Sequence, residues 1–228
     1  MKPTALRAAA LALLLATAAP AQAADPATFG PAVRAAQARW EGSPHGPMLE
    51  RILPPTFAPR QLPEPRSPGA ALAVRYCVQC HNLPNPAMHH AEKWPKVVTR
   101  MVERMRGKGN MGVLMKDMMA GLEAPGAAEE AALVDYLKRH AQTPLDPRRY
   151  PDAFKPSGEP FRLACNQCHV LPDPQRYTAK EWPAVVERMR ENMAWMNRVV
   201  GSKDMPGEPQ LTPEAINGFL ARHARRPR

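Results

Sequence analysis

Helical signals recur three times in each half of the chain. Leu133, Tyr136, Leu137 and Ala141 form one closing set, and Ile216, Phe219, Leu220 and Ala224 form its counterpart. Steps of three and four place each set on one face of an amphipathic helix. Thr212-Pro213 supplies an N-cap and a first-turn proline for the later one. An earlier helix is expected over Ala70 to Tyr76, opened by Ser67-Pro68, with a shorter counterpart before Cys165. Between these, Thr178-Ala179-Lys180-Glu181 has the spacing of a capping box, and Pro183 falls in or near the first turn that follows. Strand-like alternation is almost absent. The expected fold class is all-α.

Prolines divide the chain. They crowd Asp25 to Pro68 and again Gln142 to Ser157, where no long helix can persist. Before the first stretch, Lys2 and Arg7 precede an apolar run from Ala8 to Ala19 and a small-residue site at Ala21-Gln22-Ala23. That is the pattern of a cleaved export signal, too short to span a bilayer. No cysteine near the cleavage point offers a lipid anchor. The expected organisation is a signal over 1–23, a Pro-rich arm over 24–66, a domain over 67–142, a linker over 143–157 and a second domain over 158–228. One short helix, Val33 to Trp40, is expected inside the arm. The mature protein is expected in the periplasm or otherwise exported, with no transmembrane segment.

The two segments are repeats. At one constant offset of 88, Cys77 falls on Cys165, Cys80 on Cys168 and His81 on His169. Leu83-Pro84 then matches Leu171-Pro172, Pro86 matches Pro174, and Trp94-Pro95 matches Trp182-Pro183. Val97-Val98 and Arg100-Met101 match Val185-Val186 and Arg188-Met189. Agreement at so many scarce residue types identifies a tandem duplication.

All four cysteines lie in Cys-x-x-Cys pairs, each followed at once by His. This is the attachment signature of haem c. Two thiols add across the porphyrin vinyl groups, and the next residue places an imidazole under the ring to ligate iron. Structural disulfides would not call for the histidines. A thioredoxin-like site needs a mixed α/β context, and a four-cysteine zinc site leaves two histidines at equal offsets unexplained. Segments of about 70 to 80 residues are small for an unaided core, and a buried porphyrin supplies apolar area. The expected cofactors are two covalently bound haem c groups.

Cys-Val-Gln-Cys-His-Asn-Leu-Pro and Cys-Asn-Gln-Cys-His-Val-Leu-Pro resemble the haem motifs of all-helical, class I c-type cytochromes. The resemblance covers both repeats, about two thirds of the chain. It implies, in each domain, a first helix crossing the last with haem between them. It implies thioethers at Cys77, Cys80, Cys165 and Cys168, and proximal iron ligands at His81 and His169. The distal ligand implied is a methionine. Met101 and Met189 align without a gap and are favoured. Met118 and Met205, in matching Lys-Asp-Met triplets, are the alternative that fits the usual loop position. Met105 and Met193, one turn beyond the favoured pair, are the third. Ordinary core packing accounts for most of the 13 methionines. His140 and His223 match at helix ends, where an imidazole complements the helix dipole. His89 and His90 have no counterpart in the second repeat, and His45 lies in the arm. Trp94 and Trp182 are expected to pack against haem or the closing helix.

Charge refines the picture. The formal net charge is +10, with 31 basic and 21 acidic residues. An exported protein seldom meets nucleic acid, so this points to acidic or membrane-associated redox partners. No Ser/His/Asp pattern, carboxylate pair or nucleotide loop suggests a second catalytic group. The expectation is a one-electron carrier, or the haem subunit of an oxidoreductase complex, rather than an enzyme itself. A di-haem peroxidase or haem-based sensor, each needing an open iron position, is the alternative. Oligomeric state is not readable from the chain.

Overall fold

The computed structural model describes residues 58–108, 112, 113, 116, 122–200 and 212–227. The expected signal, the arm as far as residue 57 with its short helix, Met118 and Met205 lie outside the described residues. Among the described residues six α-helices follow in order: α1 (Pro68–Cys77), α2 (Trp94–Met105), α3 (Ala127–Arg139), α4 (Glu159–Cys165), α5 (Trp182–Val200) and α6 (Pro213–His223). No strand occurs among the described residues, so the all-α expectation holds there. None of the described helices is long and apolar enough to cross a membrane.

Helix starts follow the local chemistry with two exceptions. Ser67 Oγ accepts the Ala70 N–H at 3.2 Å, capping α1 as its sequence implies. The capping box at Thr178 forms only in half. Glu181 Oε2 accepts both the Thr178 N–H, at 2.8 Å, and the Thr178 hydroxyl, at 2.9 Å. The hydroxyl is therefore engaged as a donor to the carboxylate, and α5 begins at Trp182. Thr212 stands at the N-cap of α6, but its side chain makes no capping hydrogen bond.

α1 and α2 pack on α3, and α4 and α5 pack on α6. Two apolar clusters result. The first centres on Val74, Trp94, Val98, Leu133, Tyr136 and Leu137, and the second on Phe161, Trp182, Ile216, Phe219 and Leu220. The helix contacts are solved differently in the two. A Cβ added at Gly69 would lie 2.5 Å from Tyr136 Cβ, so glycine allows α1 to approach α3. In the second cluster Phe161 stacks on Phe219 with ring centroids 4.7 Å apart. The end of the arm joins the first cluster: Leu62 is buried, and the Tyr136 hydroxyl donates to Pro63 O at 2.7 Å.

Each Cys-x-x-Cys-His is followed by the same device. Short 3₁₀ turns, Pro86–Met88 and Pro174–Arg176, are capped by Asn85 Oδ1 and Asp173 Oδ1. The indoles of Trp94 and Trp182 donate to Pro86 O and Pro174 O at 2.9 and 2.8 Å, holding these turns against α2 and α5. The halves meet along a hydrogen-bonded seam. The Gln142 N–H donates to His89 O at 2.9 Å, while its buried side-chain amide donates to Val170 O at 2.7 Å. The Leu145 N–H donates to Leu171 O, and the Asp173 N–H to Thr143 O.

Candidate cofactor sites

α1 ends at Cys77 and α4 ends at Cys165, so each first cysteine sits on the last helical turn. The turn beyond carries the second cysteine and the histidine. Cys77, Cys80 and His81 line an apolar cavity of about 230 Å³ with Met101 and Met105 of α2 and Leu133 and Leu137 of α3. Cys165, Cys168 and His169 line a second, of about 430 Å³, with Met189 and Met193 of α5 and Ile216 and Leu220 of α6. In α2, Val98, Met101, Val102 and Met105 share one face by their steps of three and four. That face forms one wall of the cavity that the motif lines.

Both motif histidines are oriented alike. His81 Nδ1 lies 2.8 Å from Asn82 O, and His169 Nδ1 lies 2.9 Å from Val170 O. A carbonyl only accepts, so Nδ1 must carry the hydrogen, and Nε2 is left with its lone pair. That is the tautomer a metal-binding imidazole needs, with its orientation fixed by the backbone. Burial also pushes the pKa of His81 down, which keeps the ring neutral.

The thiols point away from redox catalysis by the cysteines themselves. Burial pushes Cys77 up to about 12, with the neighbouring Cys80 sulfur adding to the effect. Burial alone pushes Cys165 up to about 12. A reactive dithiol site depends on a lowered pKa, the opposite of what is found. No disulfide joins any of the four cysteines. Among the described residues no three His, Cys, Asp or Glu side chains converge as a metal cage, and the two cysteine pairs line different cavities. A four-cysteine zinc site is thereby disfavoured. The donor set suits haem c: two thiols at a helix end, one neutral imidazole, and thioether sulfurs in the same apolar cavity.

Met101 and Met105 both line the first cavity, and Met189 and Met193 both line the second. Successive turns of one helix bring both pairs to the site, which sequence alignment ranks but geometry does not separate. His140 and His223 line neither cavity. His140 stacks on Tyr136 at 4.8 Å, and His223 packs between Phe219 and Tyr150. His90 also stays outside, with Nε2 3.9 Å from Glu92.

His89 does line the first cavity, against the Trp94 ring, and its Nδ1 is buried with no hydrogen-bond partner among the described residues. Its counterpart Tyr177 packs on Trp182 at the same 5.0 Å. The repeat offset could have flagged this position, where a histidine replaces a tyrosine beside a matched tryptophan. Gln79, inside the first motif, was also missed. Its amide is clamped to Glu123 by two hydrogen bonds, Nε2 to Glu123 O at 2.8 Å and the Glu123 N–H to Oε1 at 2.9 Å. Gln167, its match, donates instead to Leu163 O within its own turn. No sequence signal distinguishes these two glutamines, because their difference lies in the chain that faces them.

Comparison with protein-family models, with curated proteins and with solved structures found no match to this chain.

Proposed function

We propose that the protein is an exported di-haem c-type cytochrome, built as two small class I-like haem domains in tandem, that passes single electrons between redox partners. The observation carrying this reading is that each Cys-x-x-Cys-His lines an apolar cavity together with two helix methionines of the same repeat. In each cavity the histidine has its Nδ1 tied to backbone and its Nε2 left with a lone pair. Cys77 and Cys80 would tether one group, and Cys165 and Cys168 the other. His81 and His169 would be the proximal ligands, with Met101 and Met189 as the distal ligands and Met105/Met193 or Met118/Met205 as the alternatives. When bound, haem c supplies a one-electron iron couple whose potential is raised by thioether ligation.

The chain's own part is to hold, orient and dry that couple. Trp94, Val98, Leu133 and Leu137 exclude water on one side of the first cavity, and Trp182, Val186, Ile216 and Leu220 do so in the second. Low polarity around a cofactor reduces reorganisation and tunes its potential. The net basic charge, +10 for the whole chain and +8 without Lys2 and Arg7 of the signal, favours encounter with an acidic or anionic-membrane-associated redox partner. A peroxidase with one open iron predicts asymmetry between the repeats at the distal side, and a sensor needs an open iron position. The same pair of methionines in both cavities favours the carrier.

Expression in a host that installs haem c tests the reading. Mass should exceed the processed polypeptide by two haems, retained under denaturing conditions. Separate Met101→Ala and Met189→Ala variants should each abolish about half of the weak long-wavelength band of sulfur-ligated ferric haem. An unchanged band in both moves the assignment to the other methionines. Rapid carbon monoxide binding by the native protein favours the catalytic alternative. A colourless product ends the proposal.

A further inference from the structure

The two cavities are not built independently. Most of the second is lined by residues of the second half, yet Asn85, Ala87, Met88 and Gln142 of the first half also line it. Met88 lines the first cavity as well. It ends the 3₁₀ turn Pro86–Met88, whose geometry is set by Asn85 Oδ1 accepting the Ala87 N–H at 2.9 Å and by the Trp94 indole on Pro86 O. The turn cannot swing away from the second half, because the seam pins its exit. The Gln142 N–H holds His89 O, and the Gln142 side chain holds Val170 O, next to His169. From the other side, the Arg176 guanidinium donates to Ala141 O at 3.1 Å while lining the second cavity.

We infer that Met88 is a positioning residue for both cofactor sites, a shared wall through which the state of one site alters the other. This rests on the two haem sites proposed above. A side chain in contact with two groups responds to the charge and packing of each, and an apolar thioether there keeps water from both. A tandem of self-contained domains would have no such residue. The coupling is one-sided in origin: the first half completes the second cavity, and among the lining residues no residue of the second half completes the first.

The test uses the full-length holoprotein and a spectroscopic redox titration resolving two one-electron steps. Val98 lines only the first cavity and Val186 only the second, so Val98→Ala and Val186→Ala should each move mainly one step and thereby assign it. Met88→Ala should move both steps, each by a factor of about 3 in its reduction equilibrium, about 30 mV at 59 mV per decade. Met88→Gln, close in size but polar, should also move both, and serves if the alanine variant loses haem. Movement of one step alone in either holo-variant overturns the shared wall. Wild-type protein carrying fewer than two covalent haems overturns the underlying reading instead, a separate and earlier outcome.

Discussion

His89 is the residue at which the two repeats diverge most in chemistry. It occupies the place of Tyr177, beside a tryptophan common to both, but brings a titratable ring into the cavity. Burial first, then the Lys93 charge, lowers its pKa from 6.5 to about 4. As pH falls from 6.5 towards 4, the unfolded chain takes up a proton here that the folded chain refuses. Stability is therefore lost on acidification across that window and retained above it. Replacing His89 by Gln should flatten this part of the pH–stability curve, measured as urea midpoints from pH 7 to 4. A curve with unchanged slope would show that His89 is solvated in the fold. Glu129 acts lower on the scale. Its carboxylate accepts the Tyr76 hydroxyl at 2.7 Å, which holds its pKa below the ordinary value. The repeat offset sets His89 opposite Tyr177 and His90 opposite Thr178, but it does not say which ring enters the cavity. Packing against Trp94 buries the Nδ1 of His89, while His90 lies beside Glu92.

At the scale of the element, local signals and the repeat pointed to the six described α-helices, while the quality of each cap depended on neighbours. Ser67 and Thr212 have the same credentials: a hydroxyl residue immediately before proline. Ser67 caps through the Ala70 N–H, and Thr212 makes no such bond. Ser67→Ala should therefore cost about 1 kcal/mol in thermal or chemical unfolding, and Thr212→Ala a few tenths at most. Equal costs would mean that Thr212 caps α6 in solution. The methionine helices teach a related lesson. A stripe at steps of three and four announces a buried face, but Met101 and Met105 line one cavity together, as Met189 and Met193 line the other. Periodicity therefore leads to α2 and α5 and stops short of choosing between Met101 and Met105, or between Met189 and Met193.

For the whole molecule, the cavities matter more than any single contact. Filling them is a stability question as well as a functional one. Both cavities are lined mostly by apolar side chains and open in part to solvent, so leaving them unfilled leaves apolar surface wetted. Net stabilities of small proteins are only about 5 to 15 kcal/mol, so covering such a surface weighs on the fold. The double variant Cys165→Ser/Cys168→Ser, unable to tether the second group, should lose hydrogen-exchange protection over α5 and α6. Protection of α1 to α3, which pack around the other cavity, should persist with its haem. Full protection of α5 and α6 in that variant would show that the second cluster stands on side-chain packing alone.

The chain by itself determined the repeat, the helices and the pairing of thiols with histidines. These are local: an offset, a periodicity of 3.6 and a motif of five residues are written in neighbouring positions. Tertiary structure decided which polar groups are buried, how two equivalent glutamines part company, and that Met88 belongs to two cavities at once. Those facts depend on surfaces brought together from residues far apart, around Gln142 and the chain on either side of it. Residues 88 and 176 are equals by register, and only the asymmetric docking of one half on the other gives them different work.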